Sequence, residues 1–210
     1  MVYIHRKEML DVMFRLKDGC PDRWTMIVNG EVWREVHRTI FGRHPIFPPV
    51  EAQDHLQEVF DAFEYRRVKA YILWRLSNQS CHSEQLAKGL QDRLVQSHTI
   101  ERVIEEYRDM GMLDDESWTE GFIRSQQKRY ALRHILNTLH RKGLSSDTIQ
   151  KIAQKWINPD EELKAIEHLI ERRYRSKDLT DYKTRQKVIA SLARKGYSFD
   201  QIQEVIKQKK

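Results

Sequence analysis

Two short segments, Arg141-Lys142-Gly143 and Arg194-Lys195-Gly196, place the same pair of cations ahead of the same glycine. Such side chains bind phosphate oxygens or carboxylates, Arg through a two-point fork and Lys as a compact point charge. More cations lie around them: Arg124, Lys128, Arg129 and Arg133 before the first pair, and Arg172, Arg173, Lys183, Arg185 and Lys187 before the second. With Arg141, Lys142, Arg194 and Lys195 these are the candidate partner- or nucleic-acid-binding residues. Arg175 and Lys177 extend the group. A purely local explanation competes, because the negative end of a helix dipole attracts cations without any partner. Tyr130, Tyr174 and Tyr182 interleave with the cations and can either stack on bases or pack within the fold.

The charge is unevenly placed. Residues 1–120 hold 16 Lys+Arg against 21 Asp+Glu, net −5, and residues 121–210 hold 21 against 10, net +11, which together recover the +6 of the chain. A basic half joined to an acidic half is the footprint expected of a protein that meets a polyanion or an acidic protein surface.

Other chemistry finds little support. The nine His include His134 and His140, six apart and so on different faces of a helix. Cys81-His82 is too close in sequence to chelate one ion well, and Asp114-Asp115 lacks a third ligand at helical spacing. No HExxH, GxSxG or Gly-rich phosphate loop is present. No catalytic residue, metal ligand or cofactor is therefore assigned, and the expectation is a binding protein rather than an enzyme. Cys20 and Cys81 form no CxxC, and no apolar run reaches the roughly 18 residues a membrane span needs. With no apolar signal stretch at the start, the expected setting is the cytoplasm, with reduced thiols.

The elements that must position these cations are helices. Leu132, Ile135, Leu136 and Leu139 fall at i, i+3, i+4 and i+7, as do Ile149, Ile152, Ala153 and Trp156, and Ile100, Val103, Ile104 and Tyr107. Leu139–Gln150 matches Leu192–Gln203 at eight of twelve positions. Leu closes a helix, Arg-Lys complements its dipole, and Gly takes the left-handed residue after it. Ser145 or Ser198 then caps the next helix. A weaker copy aligns Leu90, Arg93 and Ile100, with Leu94 in place of the Gly, so its turn is expected to close differently or run longer. Preceding helices near 64–78, 115–128 and 160–174 complete three units. Residues 1–50 differ: Trp24–Val28 and Glu31–Val36 flank Asn29-Gly30, a strong hairpin signal. A further strand is expected near Leu10–Leu16, and Pro45, Pro48 and Pro49 then break regular structure.

The expected fold is all-α: three tandem three-helix, helix-turn-helix-like repeats in an elongated, curved array, with a small N-terminal β-hairpin element. The expected divisions are 1–50 (hairpin element and linker), 51–63 (linking helix), 64–110, 115–157 and 160–209 (repeats one to three). The basic contacts are expected from the second and third repeats, with the first structural.

The linker Gly111–Asp115, then Trp118, Phe122, Ile123, Leu139 and Lys142-Gly143-Leu144, resembles the RecX family of recombinase regulators. So does the run Ala165, Arg185, Lys187, Leu192, Arg194–Ser198 and Ile202. The resemblance covers residues 64–208 and rests on order and spacing rather than one motif. It implies tandem three-helix repeats and a monomer that binds the groove of a RecA-type recombinase filament. Single-stranded DNA would be met weakly or through that filament, and recombinase, ATPase and co-protease activity would be modulated, most often inhibited. Cys81-His82, Gln126 and Ala131-Leu132 stand where the family commonly has Arg-Ser, Arg and Gly-Pro. Two other classes remain open: a stand-alone helical DNA-binding module, since a helix-turn-helix also uses a Gly turn, and a scaffold repeat that binds only protein.

Overall fold

Asn29 and Gly30 both take positive φ, 51° and 86°, the backbone that a two-residue hairpin turn demands. In this computed structural model, which describes residues 9–208, that turn joins the second and third strands of an antiparallel sheet. The sheet runs β1 (Val12–Lys17), β2 (Cys20–Val28) and β3 (Glu31–His37) in sequence order. The first strand therefore begins and ends a little later than Leu10–Leu16, because Gly19, at φ 72°, sets the turn that ends it. Asn29 also ties the sheet together: its side-chain oxygen accepts from the Asp11 amide at 3.0 Å.

The prolines do more than interrupt the chain. After a single turn of helix, α1 (Arg38–Phe41), the segment to residue 52 is irregular but packed. Val50 is buried and its carbonyl accepts from the Leu10 amide at 2.9 Å, while Phe47 lies edge-on to Phe63. A three-residue 3-10 turn (Gln53–His55) then leads into α2 (Leu56–Asn78). That helix is continuous across the stretch expected as a linking helix and the first helix of repeat one. Helices α3 (Ser83–Gln91) and α4 (Ser97–Asp109) follow. Trp33 of the sheet meets Phe60 of α2 edge-on at 5.3 Å, and Phe41 stacks on Phe60 at 5.8 Å. A three-stranded sheet is marginal alone, and this aromatic layer supplies its missing face.

Helix α4 needs a cap that its own N-cap residue, Gln96, does not supply. Glu64, fully buried on α2, accepts from the Thr99 hydroxyl at 2.7 Å and faces the Gln96 amide at 3.3 Å. Close by, the Arg34 guanidinium lies 4.1 Å from the ring centres of both Trp33 and Phe60. Burial lowers its pKa, and the nearby Glu64 and Asp61 oppose that shift.

The chain divides into two compact units at Asp114/Asp115. The second unit holds α5 (Asp115–Gln127), α6 (Leu132–Arg141), α7 (Ser146–Trp156), α8 (Pro159–Arg173), α9 (Tyr182–Ala193) and α10 (Phe199–Gln208). Ile123, Ile135, Leu139, Leu144 and Ile152 form the core of α5–α7, and Ile166, Ile170, Val188, Leu192 and Ile202 anchor that of α8–α10. Ser145 and Ser198 cap as the repeat predicts: each hydroxyl accepts at 3.2 Å from the amide three residues on. In the first unit the matching position is Gln96, whose side chain does not cap α4, while His82 caps α3, its Nδ1 accepting from the Glu84 amide at 3.2 Å.

The turn at Leu94 corrects an expectation. It neither runs longer nor closes differently. Leu94 adopts φ 60°, the left-handed region that Gly143 (104°) and Gly196 (96°) occupy in the other repeats. The same hydrogen bond closes it: the Val95 amide donates to Leu90 O at 3.2 Å, as the Leu144 amide does to Leu139 O at 3.3 Å. A non-Gly residue there costs roughly 1–2 kcal/mol. Relief of that strain should offset the lost packing of a half-buried side chain, so Leu94→Gly is expected to leave stability within about 1 kcal/mol. A urea-unfolding midpoint would show it; a loss of several kcal/mol would mean that the leucine packing dominates.

Candidate partner interface

The basic residues of the second unit do not form one surface with one character. Helix dipoles, carboxylates and aromatic rings hold several of them. Arg124 pairs with Glu120 one turn earlier on α5. Arg141 donates to Thr138 Oγ1 at 3.1 Å, and Lys142 sits 5.7 Å from the Phe122 ring centre, both at the C-terminal end of α6. Arg185 lies 5.8 Å from the ring centre of Tyr182 on its own helix. Lys187 lies near Asp181 at the N-terminus of α9, where the Thr184 hydroxyl and amide are the main cause of that carboxylate's lowered pKa. Lys128, Arg133, Arg172, Lys183 and Arg194 are exposed.

Three of the cations converge. Arg129 follows α5, Arg173 ends α8, and Lys195 lies in the turn between α9 and α10. Burial is the main cause of a lowered pKa at Lys195, and Arg173 and Arg129 lower it further. Arg173 and Arg129 thus both lie near enough to the Lys195 ammonium to repel it. Among the described residues no carboxylate forms an ion pair with any of them. Beneath them lies an aromatic floor: the Tyr130 and His134 rings stack at 4.4 Å and 9°, and Lys195 Nζ is 4.8 Å from the Tyr130 ring centre.

Backbone close approach brings these residues together. The Ala131 amide, at the start of α6, donates to Lys195 O at 3.0 Å, and the next amide, of Leu132, donates to Glu162 Oε1 at 3.0 Å. The other oxygen of Glu162 accepts from Gln201 Nε2 at 2.8 Å. One carboxylate on α8 thus caps α6 and holds α10. Tyr197, buried beside it, has its phenol pushed up to about 12 by burial and by Glu162. Gly196 completes the junction, since a Cβ there would lie 2.8 Å from His134 Cβ.

The arrangement suits an anion: cations without an ion-paired carboxylate over a flat aromatic floor. Among the described residues no group of His, Cys, Asp and Glu could hold a metal ion, and no helix is long and apolar enough to cross a membrane. The sequence does not single out Tyr130 and His134 as a pair. Their i, i+4 spacing is the available signal, but it spans the break between α5 and α6.

Comparison with known proteins decides the family. Residues 160–206 match the family model described as RecX, third three-helix domain. A regulatory protein RecX from Mycobacterium leprae (strain Br4923) is 31% identical over 135 residues, which cover 62% of this chain and 78% of the relative. The chain belongs to the RecX family. A regulatory protein RecX from Clostridium perfringens (strain SM101 / Type A) is 25% identical over 158 residues, 74% of each chain. The crystal structure of a regulatory protein RecX superposes with a TM-score of 0.55 at 18% identity, covering 95% of this chain and 99% of that one. RecX from Lactobacillus salivarius gives 0.56 at 20%, covering 70% and 97%. The RecX fold is thus shared through the helical repeats. Leu132, at the position of the proline in the family's common Gly-Pro, here gives the amide that bonds Glu162 Oε1, a bond a proline could not make.

Proposed function

We propose that this chain is a regulatory protein that binds a RecA-type recombinase filament on single-stranded DNA and slows its ATP-coupled cycling. The observation that carries the proposal is the unpaired cluster of Arg129, Arg173 and Lys195 over the Tyr130–His134 stack. A filament groove offers phosphates and acidic protein surface together, and Arg and Lys off the apolar stripe reach both. The names of the RecX relatives support a regulatory role. The remaining exposed cations, Lys128, Arg133, Arg172, Lys183 and Arg194, would extend the contact along the same unit. Repeats one to three, near 64–110, 115–157 and 160–209, would bridge neighbouring protomers and so hinder subunit exchange.

Adding the purified protein to a recombinase filament on single-stranded DNA tests this. ATP hydrolysis is expected to fall as the protein approaches saturation of the filament. Unchanged hydrolysis together with unchanged filament growth would overturn the proposal. Tight binding to bare duplex DNA with a steep salt slope, and no effect on the filament, would instead identify a stand-alone DNA-binding module.

A further inference from the structure

The first unit carries a net negative sequence, yet one face of α2 is both aromatic and cationic. Arg67, Ala70, Tyr71 and Trp74 fall at i, i+3, i+4 and i+7, a single stripe of that helix. With Thr39 and Ile40 they line an open depression of about 320 Å³. Its floor is largely apolar carbon. Trp74 is 61% exposed, unusual for so large an apolar side chain in a helix with an extensive buried face. Tyr71 is half-buried, packs on the core, and meets the Trp74 ring at 6.0 Å and 39°. One aromatic ring is therefore anchored and its neighbour is presented to solvent.

Two guanidinium groups flank this pair. Arg67 Nε donates to Ile40 O at 3.1 Å, which holds the group at the rim. Gly42, at φ 89°, lets it lie close to the backbone: a Cβ there would stand 2.8 Å from the guanidinium. From the turn after α3, the Arg93 guanidinium lies 5.5 Å from the Tyr71 ring centre, with Nη1 donating to Gly89 O at 2.6 Å. Among the described residues no ion pair joins either arginine to a carboxylate. The Ile40 carbonyl preorders Arg67 and the Gly89 carbonyl preorders Arg93, whose Nε is buried without a hydrogen-bond partner.

We propose that this face is a platform for single-stranded nucleic acid, with a base stacked on Trp74 and flanking phosphates held by Arg67 and Arg93. An exposed ring beside preordered, unneutralised arginines meets both halves of a nucleotide, the π-face of the base and the charge of the phosphate. The depression is too open to enclose a small molecule. A base-paired duplex hides its π-faces, so the platform discriminates for the unpaired strand. The site lies outside the basic half of the chain, because net charge averages over it.

The test uses the full chain without recombinase, so it stands or falls separately from the filament reading. Anisotropy of a fluorescein-labelled oligothymidylate is measured beside an abasic strand of equal length, across a salt series. Trp74→Ala is expected to weaken oligothymidylate binding about tenfold and to leave abasic binding nearly unchanged, since stacking needs the base. Trp74→Leu, which keeps apolar bulk but has no π-face, is expected to lose as much. Arg67→Gln and Arg93→Gln should each reduce the log–log salt slope by about 0.7 on both strands. Equal affinity of the Trp74 variants and the parent for oligothymidylate would overturn the proposal, as would equal losses on the two strands. So would a Trp74→Ala defect seen only on a recombinase filament, which would assign the face to a protein partner.

Discussion

Gly196→Ala is expected to destabilise the second unit by about 3 kcal/mol, from two causes that add. The residue sits at φ 96°, where an L side chain is strained by roughly 1–2 kcal/mol. Its new Cβ would then lie 2.8 Å from His134 Cβ and 3.1 Å from the His134 backbone nitrogen. A backbone atom cannot swing away as a long side chain does, so the turn must move off α6. That movement stretches the Ala131–Lys195 hydrogen bond and tilts the Glu162 cap. Urea unfolding followed by far-UV circular dichroism measures the loss. Gly121→Ala is the control within the same unit: a methyl on this helical glycine would meet nothing within 4 Å, and Ala should stabilise by up to about 1 kcal/mol. If both variants unfold at the same urea concentration, the close approach at Gly196 is not what locks the two repeats.

The second large effect concerns binding. Replacing Arg129, Arg173 and Lys195 together with Gln is expected to cut affinity for the recombinase filament at least tenfold at low salt. The log–log salt slope should fall by about 2 if all three meet single-strand phosphates. Stability should move the other way. Arg173 and Arg129 each lower the Lys195 pKa, so both repel the Lys195 ammonium in the free protein. Relieving that repulsion should leave the melting temperature unchanged or slightly higher. A structural role predicts the opposite pairing, lower stability with intact binding. Arg124→Gln serves as comparison, because Glu120 already neutralises that charge and little change in affinity is expected. A triple variant that binds the filament as tightly as the parent would remove the cluster from the interface.

These two expectations rest on different kinds of information. The paired Arg-Lys-Gly turns, their serine caps and the apolar stripes are readable because each is a local pattern. Helix periodicity, dipole complementarity and a glycine at positive φ all act within a few residues. The Asn29-Gly30 turn is readable for the same reason. Leu94 shows where local chemistry misleads: the sequence favours a different turn, but the leucine takes the glycine's left-handed conformation and the Val95 amide closes the same bond to Leu90 O. The continuous helix Leu56–Asn78 divides into two segments on sequence grounds because the repeat pattern starts the first helix of repeat one near residue 64.

From sequence alone came the repeat, its turn grammar, the resemblance to RecX and the basic character of the C-terminal half. Tertiary structure alone decided which cations stand together. Arg129 and Lys195, 66 residues apart in sequence, come together because Gly196 and Ala131 let two backbones touch, and Arg173 joins them from the end of α8. It also decided which charges are already spent, as at Arg124, and where an aromatic face is left open, as at Trp74. The physical reason is range. Dihedral preference and periodicity are written into neighbouring residues, whereas charge neutralisation and ring exposure depend on whatever the folded chain brings alongside.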